Sequence, residues 1–491
     1  MFKLAKSMNE NQSVFSPIKV GNTIYKNRII LAPQKPRNCA ISRTFIHEEM
    51  EFWRKFAQGG AACLTIGATP VNPLPDGKGR DGNIPVHDDS CLVPLSRFAD
   101  MTHMYGCKAS IELCAYDKPG SSKEQLVEIV PDAVTVDEIR AYVKNFADAA
   151  ERCVIAGMDA IVIHGAHGHF PAAFFSKAMN KRTDEFGADT LENRARVADM
   201  ILDAIRERVG RKIVVEWRLS INDMYPGSPT FDEIVWFVRH IQDRVDIVHV
   251  SRGLHRLPSH ERFLFTPIYT PRGINLKDAA ALKEQVSVLV CAVGGITIEL
   301  AEEYISTGKL DFVAMARELY ADPDLPRKAK AGRKDEIRPC VRCNACINNT
   351  HVHRMPAYCA VNVNNNREVL FDTFPKPAHS RHVAVVGGGP AGMEAARTAA
   401  MRGHKVTLFE KSDALGGMLK YASVPWFKKD IKDYLDWAVR MTQRDPNITV
   451  KLNSEANAEL LKAEGFDTVI VANGGTPIMP GFLQGKANVA W

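Results

Sequence analysis

The sequence lacks the features that mark membrane proteins and nucleic-acid-binding proteins. No run of about 18 apolar residues occurs, so no membrane-spanning helix is expected. Lysine and arginine total 63 against 57 acidic residues, which gives a net charge of only +6 over 491 residues. The basic residues form no block, so neither nucleic acid nor a membrane surface is a predicted partner.

Features of secreted proteins are also missing. The N-terminus, MFKLAKSMNENQ, has no apolar segment of the kind found in secretory signals. The chain has 11 cysteines, an odd number, and several lie in apolar, strand-like runs, which argues against a disulfide framework. We therefore expect a cytoplasmic protein in a reducing compartment, of the kind that an anaerobic or facultative bacterium provides.

What the sequence does contain is a long alternation of strand and helix patterns. At 491 residues the chain exceeds one ordinary core, so two or three domains are expected. Nearly continuous apolar runs are typical of strands buried on both faces. Eight such runs, each followed by a helical pattern, occupy residues 27–33, 61–69, 108–115, 159–166, 212–220, 246–253, 286–295 and 311–318. They predict a (β/α)₈ TIM barrel, and the absence of an early glycine fingerprint argues against a doubly wound sheet.

Four cysteines follow the barrel at short spacing. Cys340, Cys343, Cys346 and Cys359 form a C-x₂-C-x₂-C-x₁₂-C window. Thiolates this close in sequence can converge on one metal centre, and four sulfur ligands suit an iron–sulfur cluster or zinc. Because the window lies between two nucleotide-type modules, an electron-transferring cluster is favoured, with structural zinc as the alternative.

A glycine-rich turn opens the last part of the chain. The strand-like HVAVV is followed by Gly387, Gly389 and Gly392 in a G-x-G-x-x-G pattern, and then by a helical segment. A second strand ends in Glu410, about 20 residues on, where an acid is expected to bind a ribose hydroxyl. This context predicts a Rossmann-like dinucleotide-binding domain.

These motifs divide the chain into three segments. Residues 1–335 form the TIM barrel, 336–378 the cysteine segment with a linker, and 379–491 a Rossmann-like domain. The last segment holds only a first βαβ portion and one further strand, so it is predicted to be a partial domain.

The C-terminal ends of the barrel strands carry polar residues, and barrel enzymes place their chemistry there. Gly294 and Gly295 follow the seventh run, and Arg317 ends the eighth. Backbone N–H groups are accessible where no Cβ intrudes, and a guanidinium adds two donors. These three residues predict a phosphate cradle, and with it a phosphate-bearing cofactor in the barrel.

Several segments together resemble one known family. HGAHGHFPAAFFSKAMNKRTDEFGADTLENRAR (164–196), AVGGI (292–296) and MARELYADPDLPRKA (315–329) are similar to the signature and flavin-phosphate segments of the old yellow enzyme family. With the cysteine window and the glycine turn, the resemblance extends to the multidomain NADH:flavin oxidoreductases that include 2,4-dienoyl-CoA reductase and 2-enoate reductase. LGGM (415–418) resembles the FAD-binding type, which favours FAD over NAD for the glycine turn.

This resemblance implies FMN in the barrel. Arg218 would lie near the N1/C2=O end of the flavin, where a cation stabilises the reduced ring. Glu112 occupies a position where the family usually has Gln facing the pyrimidine edge. The full set of residues implied to contact FMN is Pro33, Lys35, Ala68, Glu112, Arg218, Gly294, Gly295, Ala316 and Arg317.

The same resemblance assigns catalysis to a histidine cluster. His164 and His167 would anchor the substrate by donating two hydrogen bonds to a carbonyl oxygen conjugated with a C=C bond. The family commonly has Tyr two residues later as the proton donor. This chain has His169 there, which is an adequate acid near neutral pH.

The implied activity is that of an ene-reductase. Electrons would pass from NAD(P)H to FAD, through a [4Fe–4S] cluster held by the four cysteines, to FMN, and then as hydride to a small α,β-unsaturated acid, thioester or ketone. Members of the subgroup run well past the point where this chain stops, so we expect a truncated product or a fragment. A homo-oligomer, or a partner that supplies the NAD(P)H-binding domain, would then complete the enzyme.

Two other interpretations stay open. Amine dehydrogenases and demethylases share this architecture, but that branch typically tethers its flavin through a cysteine just after the first strand, where this chain has Lys35. The chain could also serve as an electron-transfer subunit that needs a partner carrying the NAD(P)H-binding domain.

Overall fold

The chain folds into two compact units, Met1–Thr373 and Phe374–Trp491. The computed structural model describes residues 13–35, 45–73, 84–115, 129–255, 257–375 and 377–475, together with 478 and 482. The cysteine window belongs to the same unit as the predicted barrel strands. Within these described ranges, no helix is both long enough and apolar enough to cross a membrane.

An antiparallel hairpin of strands β1 (Ile18–Val20) and β2 (Thr23–Tyr25) precedes the barrel. Tyr25 packs edge-on against Phe312, with the two ring centroids 5.3 Å apart. Both residues join a buried cluster formed by the first residues of the barrel strands, so the hairpin covers the N-terminal end of the barrel. Sequence patterns did not predict it, because strands of three residues are too short to show periodicity.

Eight parallel strands form the closed barrel that the sequence predicted. They are β3 (Ile29–Gln34), β4 (Cys63–Pro70), β5 (Lys108–Cys114), β6 (Ala160–Gly165), β7 (Val214–Ser220), β8 (Ile247–Ser251), β9 (Leu289–Val293) and β10 (Phe312–Met315). Each strand pairs with its neighbours in sequence, and β10 closes the ring against β3. All eight coincide with the apolar runs identified in the sequence.

Helices follow the strands and cover the outside of the barrel. They are α1 (His47–Gly59), α2 (Leu92–His103), α3 (Val136–Ile155), α4 (Phe170–Phe175), α5 (Leu191–Val209), α6 (Phe231–Ile241), α7 (Pro258–Leu264), α8 (Leu276–Lys283), α9 (Ile298–Ser306), α10 (Arg317–Ala321) and α11 (Leu325–Lys330). Thr135 and Thr230 start α3 and α6 with reciprocal capping boxes, which satisfy N–H groups at the helix start. Short 3₁₀ turns lie at Asp89–Cys91, Pro131–Ala133 and Lys334–Glu336.

Alternation along each strand decides which side chains reach the site. In β6, Ile161 and Ile163 pack in the large apolar cluster that also contains the helices. Ala160 packs in the interior cluster at the base of the barrel. Because successive strand residues point to opposite faces, His164 lies on the same interior face as Ala160. Near the C-terminal end of β6, the His164 imidazole therefore lies at the mouth of the barrel.

The strand register shifts near that mouth. It shifts between β3 and β4 after Leu31, and between β4 and β5 after Ile66. A Cβ on Gly67 would lie 2.4 Å from the backbone N of Gln34, so only glycine permits this close approach. Irregularities of this kind re-aim side chains at barrel rims, and here they lie beside Ala68, a predicted flavin contact.

The cysteine segment packs on the barrel and adds helices α12 (Ala345–His351) and α13 (Glu368–Asp372). Cys346 and Ala357 belong to the apolar cluster of the barrel helices. The Asn362 side-chain N–H donates to the Tyr320 carbonyl oxygen at 2.9 Å. These contacts hold the cysteine segment against the barrel helices, including α10.

The second unit is a parallel sheet of four strands with helices. The strands β11 (His382–Val386), β12 (Lys405–Phe409), β13 (Ile448–Lys451) and β14 (Thr468–Val471) lie in the order β13-β12-β11-β14. The helices are α14 (Pro390–Met401), α15 (Leu419–Ala422), α16 (Lys429–Arg444) and α17 (Ala458–Ala463), with a 3₁₀ turn at Trp426–Lys428. The strand order reverses at β11, the place where such sheets bind nucleotides.

Candidate active site

Gly294 and Gly295 directly follow β9 and form an open turn at the barrel mouth. Their φ angles are 131° and 63°, values that L side chains rarely adopt. A Cβ on Gly294 would lie 3.1 Å from the Asn275 Nδ2, and a Cβ on Gly295 would lie 3.2 Å from the Thr266 Oγ1. The two glycines therefore leave open a cradle that a side chain would fill, which fits the predicted phosphate site.

Arg317 lies beside this turn, where Ala316 ends β10 and α10 begins. The guanidinium is buried. Its Nη1–H donates to the Thr266 carbonyl oxygen at 2.9 Å, and its Nη2–H donates to the Thr266 Oγ1 at 3.1 Å. Thr266 thus contacts both the arginine and the turn, so the three predicted phosphate-binding residues are brought together.

Two residues of the cysteine window reach the same loop. The Asn344 side chain accepts a hydrogen bond from Arg317 and donates to the Phe265 carbonyl oxygen at 2.7 Å. Arg342 donates to the carbonyl oxygens of Thr270 and Ile268 at 2.5 and 3.3 Å. Sequence spacing does not reveal these two residues, because only the folded chain brings the cysteine window to a turn far upstream.

Arg218 and Glu112 form a buried ion pair inside the barrel. The Arg218 Nη1–H donates to the Glu112 Oε1 at 2.7 Å, and the Ala68 N–H donates to the Glu112 Oε2 at 3.1 Å. Ala68 has a φ of 26°, which is unusual for a residue with a Cβ. Both carboxylate oxygens accept N–H bonds, so Glu112 balances the charge of Arg218.

Buried polar atoms without partners surround the same place. Both side-chain amide atoms of Gln34, the His164 Nδ1 and the Arg218 Nε have no hydrogen-bond partner among the described residues. Buried polar atoms of this kind need a partner, either ordered water or the polar atoms of a ligand. Pro33 and Lys35 flank Gln34 at the end of β3. The unpartnered atoms of Gln34 and Arg218 fit the polar edge of a flavin ring. Gln34 was not predicted as a site residue, although its position at the end of a barrel strand could have revealed it.

His164 and His167 form a hydrogen-bonded row that ends on Ser251. The His167 Nδ1 lies 3.4 Å from the His164 Nε2, and the His167 Nε2 lies 2.8 Å from the Ser251 Oγ. The His167 backbone, with a φ of 59°, donates its N–H to the Ser220 Oγ at 3.0 Å. Both serines end barrel strands, and neither was identified from the sequence.

The row allows two arrangements of the imidazole protons, because the Ser251 hydroxyl can either donate to His167 or accept from it. Burial lowers the pKa of His164 and of His167 well below the usual value, and the charge of Arg218 lowers both further. Both rings are therefore neutral near pH 7, with one N–H donor each. When the Ser251 O–H donates to His167 Nε2, His167 Nδ1–H donates to His164 Nε2. The remaining proton of His164 then lies on Nδ1.

His169 completes the cluster at the start of α4. Its ring centroid lies 4.0 Å from that of His164, and its Nδ1 lies 3.3 Å from the Cys114 Sγ at the end of β5. The ring of His255 stacks against His169 with centroids 6.2 Å apart. The three predicted histidines are thus adjacent and only 4–5% exposed, and His255 is a fourth imidazole that sequence analysis missed.

The four cysteines of the window lie against the barrel. Cys340 and Cys346 are buried, Cys359 is half-buried and Cys343 is exposed. The Arg342 backbone N–H donates to the Cys340 Sγ at 3.3 Å, and backbone N–H groups also hydrogen-bond to the sulfurs of Cys346 and Cys359. Hydrogen bonds to sulfur are typical of iron–sulfur sites.

Burial raises the pKa of Cys346 to about 12. The positive charge of Arg317 opposes this shift, whereas the thiolate charges of Cys359 and Cys343 raise the pKa further. Burial likewise raises the pKa of Cys340 and of Cys359. In the described ranges no three His, Cys, Asp or Glu side chains are arranged around a single metal ion. Four thiols with N–H donors fit a cluster chemically, and the cluster stays a prediction.

The glycine turn of the second unit has the geometry that its motif predicts. Gly387 has a φ of 107°, and Gly389 precedes the first residue of α14. A Cβ on Gly392 would lie 1.8 Å from the Gly387 carbonyl oxygen, so glycine is required for the turn to pack on the helix. The open backbone at a helix N-terminus fits a pyrophosphate group.

Glu410 ends β12 beside this turn. Its carboxylate accepts the Gly388 N–H at 2.8 Å, and both the N–H and the O–H of Ser412 at 2.8 Å. Burial opposes ionisation, but these donors outweigh it and lower the pKa of Glu410. Glu410 is therefore a carboxylate near pH 7, as an acceptor for ribose hydroxyls must be.

A phosphate cradle, a buried polar ring site and a dinucleotide turn in one chain define a flavin-dependent oxidoreductase. Residues 13–336 match the NADH:flavin oxidoreductase / NADH oxidase family, and residues 382–460 match FAD dependent oxidoreductases. The chain belongs to the NADH:flavin oxidoreductase / NADH oxidase family. It is an NAD(P)H-dependent flavoprotein with an FMN-type TIM barrel, as the sequence resemblance predicted.

Relatives and solved structures agree with this assignment over nearly the whole chain. An NADH oxidase of Thermoanaerobacter brockii is 32% identical, covering 96% of this chain and 74% of that protein. A cinnamate reductase of Clostridium sporogenes is 31% identical, covering 94% of this chain and 74% of that protein.

Two solved structures have the same architecture. A 2-naphthoyl-CoA reductase in complex with 2-naphthoyl-CoA gives a TM-score of 0.88 at 28% identity, covering 96% of this chain and 75% of that chain. A histamine dehydrogenase from Rhizobium sp. 4-9 gives a TM-score of 0.84 at 25% identity, covering 95% of this chain and 69% of that chain. Reductases and amine dehydrogenases therefore share the fold of this chain.

Proposed function

We propose that this chain is an ene-reductase that reduces the C=C bond of a small α,β-unsaturated acid, thioester or ketone. The observation that carries the proposal is the buried row from Ser251 through His167 to His164, whose last nitrogen, the His164 Nδ1, has no partner among the described residues. A donor in this position stabilises the charge that develops on a carbonyl oxygen when hydride adds to the conjugated bond. Similarity to a cinnamate reductase supports this substrate class.

The barrel residues would hold FMN in two groups. Gly294, Gly295 and Arg317 would bind its phosphate, and Gln34 and Arg218 would bind the polar edge of its ring. Bound FMN supplies the hydride for the reaction. The Glu112 carboxylate holds Arg218 at 2.7 Å, and so fixes the guanidinium in the mouth of the barrel.

The histidines have separate roles in this proposal. His164 donates its Nδ1–H to the substrate carbonyl oxygen. When the Ser251 O–H donates to the His167 Nε2, the row holds His164 in the tautomer that donates from Nδ1. His169 delivers the proton to the α-carbon. Because all three rings are buried, water competes little with these hydrogen bonds.

The electron route uses the remaining motifs. Cys340, Cys343, Cys346 and Cys359 would hold a [4Fe–4S] cluster, and the glycine turn with Glu410 would hold FAD. A cluster transfers single electrons and so links a two-electron donor such as NAD(P)H to a second flavin. A homo-oligomer, or a partner chain that supplies an NAD(P)H-binding domain, would complete this route.

Cofactor analysis and an acceptor panel test the proposal together. Protein purified without oxygen is expected to contain FMN and about four iron atoms per chain. After reduction with dithionite to the endpoint, cinnamate, an enoyl thioester and an enone are added separately. We expect reoxidation of the flavin with formation of the saturated product from at least one of them. No reoxidation by any conjugated acceptor would contradict the proposal.

An amine dehydrogenase is the second candidate, because the histamine dehydrogenase structure matches 95% of this chain. The oxidised protein is therefore also mixed with histamine and with sarcosine. Bleaching of the flavin by either amine would favour this alternative. An electron-transfer subunit would show neither amine-driven bleaching nor reoxidation by alkenes, although dithionite would still reduce its centres.

A further inference from the structure

A thiol and an imidazole are paired at the barrel mouth. The Cys114 Sγ lies 3.3 Å from the His169 Nδ1, and the two side chains are 1% and 5% exposed. Cys114 ends β5 on the same interior face as Glu112, two residues earlier, and packs against Ala68. The pair therefore lies inside the candidate active site and is not part of the cysteine window.

The fold fixes the position of His169 in this pair. Its backbone N–H donates to the Ala166 carbonyl oxygen at 3.0 Å, and its own carbonyl oxygen accepts the Ala173 N–H at 2.9 Å. The ring packs against His164, which presents the proposed substrate donor. Because the Nδ1 faces Cys114, Nε2 is the ring nitrogen on the side away from the thiol.

We infer that Cys114 and His169 form a proton relay that supplies the α-carbon of the substrate, an inference that rests on the ene-reductase function proposed above. When hydride adds to the β-carbon, the His169 Nε2–H bond breaks and a C–H bond forms at the α-carbon. At the same time the Cys114 S–H proton moves to His169 Nδ1, which leaves a thiolate and a neutral ring. A water molecule then returns a proton to Nε2 while Nδ1 gives its proton back to sulfur, and the hydroxide that remains is neutralised by a proton from the bulk solvent.

The balance of this step needs no further reactant. The substrate gains one hydride and one proton, water is the final proton source, and neither Cys114 nor His169 is oxidised or reduced. A thiol suits this role because sulfur can either donate a hydrogen bond to Nδ1 or accept one from it. The hydrogen bond therefore persists throughout the cycle.

The charges around the pair explain why a relay through a neutral ring is preferred to an imidazolium. His164 and His255 pack against His169, and His167 packs against His164. The Glu112 carboxylate, which pairs with Arg218, lies 3.9 Å from the His164 Nε2. Burial and positive neighbours lower the pKa of His164 and of His167, and a further cation at His169 would meet the same surroundings. The relay moves a proton through the ring without creating that cation.

Three variants separate a relay from a purely structural contact: Cys114→Ala, Cys114→Ser and His169→Phe. The control is Cys153→Ala, which removes another fully buried thiol, on α3. The measured quantity is the rate at which conjugated acceptors reoxidise the dithionite-reduced protein, as a function of pH. The rate for His169→Phe is expected to fall roughly 100-fold or more, as for loss of a general acid.

The two Cys114 variants are decisive. If the thiol proton is used, only the imidazolium form of His169 can act in either variant. The high-pH limb of the rate profile then moves to lower pH, and the rate at about pH 8 falls at least about tenfold. A serine that restores the wild-type profile would overturn the relay, because the hydroxyl preserves only the contact. An alanine variant with an unchanged profile would overturn it as well.

An infrared measurement tests the pair without any turnover. The S–H stretching band that disappears in Cys114→Ala reports the hydrogen bond of this thiol. In His169→Phe this band is expected to shift, because the thiol loses the imidazole and keeps the Ala115 carbonyl oxygen, 3.6 Å away, as an acceptor; in Cys153→Ala it stays in place. An unshifted band would refute the pair. If the band shifts but no acceptor reoxidises the wild type, the ene-reductase proposal fails and the pair is confirmed without the relay.

Discussion

Arg317 donates a hydrogen bond to the side chain of Asn344, a residue between the second and third cysteines of the window. Asn344 in turn donates to the Phe265 carbonyl oxygen at 2.7 Å, and Arg317 donates to that of Thr266 at 2.9 Å. The phosphate cradle and the cysteine segment thus hold the same loop. Changes in one of these sites are therefore expected to alter the other.

Replacement of Asn344 by alanine tests this connection. The change removes the acceptor of Arg317 and leaves a buried guanidinium donor unpaired, which costs about 1.5–3 kcal/mol. We expect the affinity for FMN to fall by roughly 10- to 100-fold, while the affinity for riboflavin, which has no phosphate, changes little. Asn348→Ala, at an exposed position of α12, is the control. Equal losses for FMN and riboflavin would contradict the role of Asn344 at the phosphate.

Gly295→Ala tests the cradle itself. The new Cβ would lie 3.2 Å from the Thr266 Oγ1 at a φ of 63°, so it would both strain the backbone and enter the cradle. Gly308→Ala has a similar φ of 70° but meets nothing within 4 Å, so it introduces only the backbone strain, about 1 kcal/mol. We expect the first variant to lose FMN and the second to retain it. Retention of FMN by both would show that the phosphate lies elsewhere.

Gly392→Ala is the corresponding test in the second unit. Its Cβ would lie 1.8 Å from the Gly387 carbonyl oxygen, so the glycine turn must open and the helix must move. We expect loss of bound FAD with FMN in the barrel unaffected, as measured by release and separation of the two flavins. Gly403→Ala lies at an open position of the same unit and should keep both. Loss of FAD in both variants would point to general instability of the unit.

Asp223 predicts a pH dependence of stability. Burial raises its pKa to about 7, although a hydrogen bond with Ser220 opposes the shift, whereas an unfolded aspartate titrates at about 3.9. The folded state thus keeps a proton that the unfolded chain has lost. The Asp223 carboxyl therefore makes its full contribution to the free energy of unfolding below about pH 4. That contribution falls by about 1.4 kcal/mol per pH unit as the pH rises to about 7.

The measurement for Asp223 is the melting temperature as a function of pH. Asp223→Asn imitates the protonated acid, so its melting temperature should vary less between about pH 4 and about pH 7 than that of the wild type. Asp232→Asn, at an exposed position in the first turn of α6, should keep the wild-type slope. Identical slopes for all three proteins would show that the Asp223 carboxyl is not protonated in the folded state.

The barrel could be predicted from the sequence because each of its strands is visible as a short run of consecutive apolar residues. Each buried strand appears as a run of Val, Ile and Leu. The strand-end rule selected Gly294, Gly295 and Arg317, and the fold brings them together beside Thr266. The β1–β2 hairpin escaped prediction because its strands are only three residues long. Periodicity needs more residues than that to appear.

The pairings within the site could not be predicted, since they depend on how the barrel closes. Ser251 binds His167 and Cys114 binds His169, and these pairs join residues of different strands and loops. The sequence shows a serine and a cysteine at strand ends, but it does not show which imidazole each will face. Asn344 is a similar case, since its partner Arg317 lies outside the cysteine window.

The central claim is that the His164 Nδ1–H activates a conjugated carbonyl at the barrel mouth. Stopped-flow reoxidation of the reduced protein by cinnamate, for the wild type, His164→Ala and the surface control His240→Ala, tests it most directly. We predict that only His164→Ala slows, by roughly 100- to 1,000-fold, while its flavin content and its reduction by dithionite stay normal. Reoxidation of His164→Ala at the wild-type rate would contradict the claim.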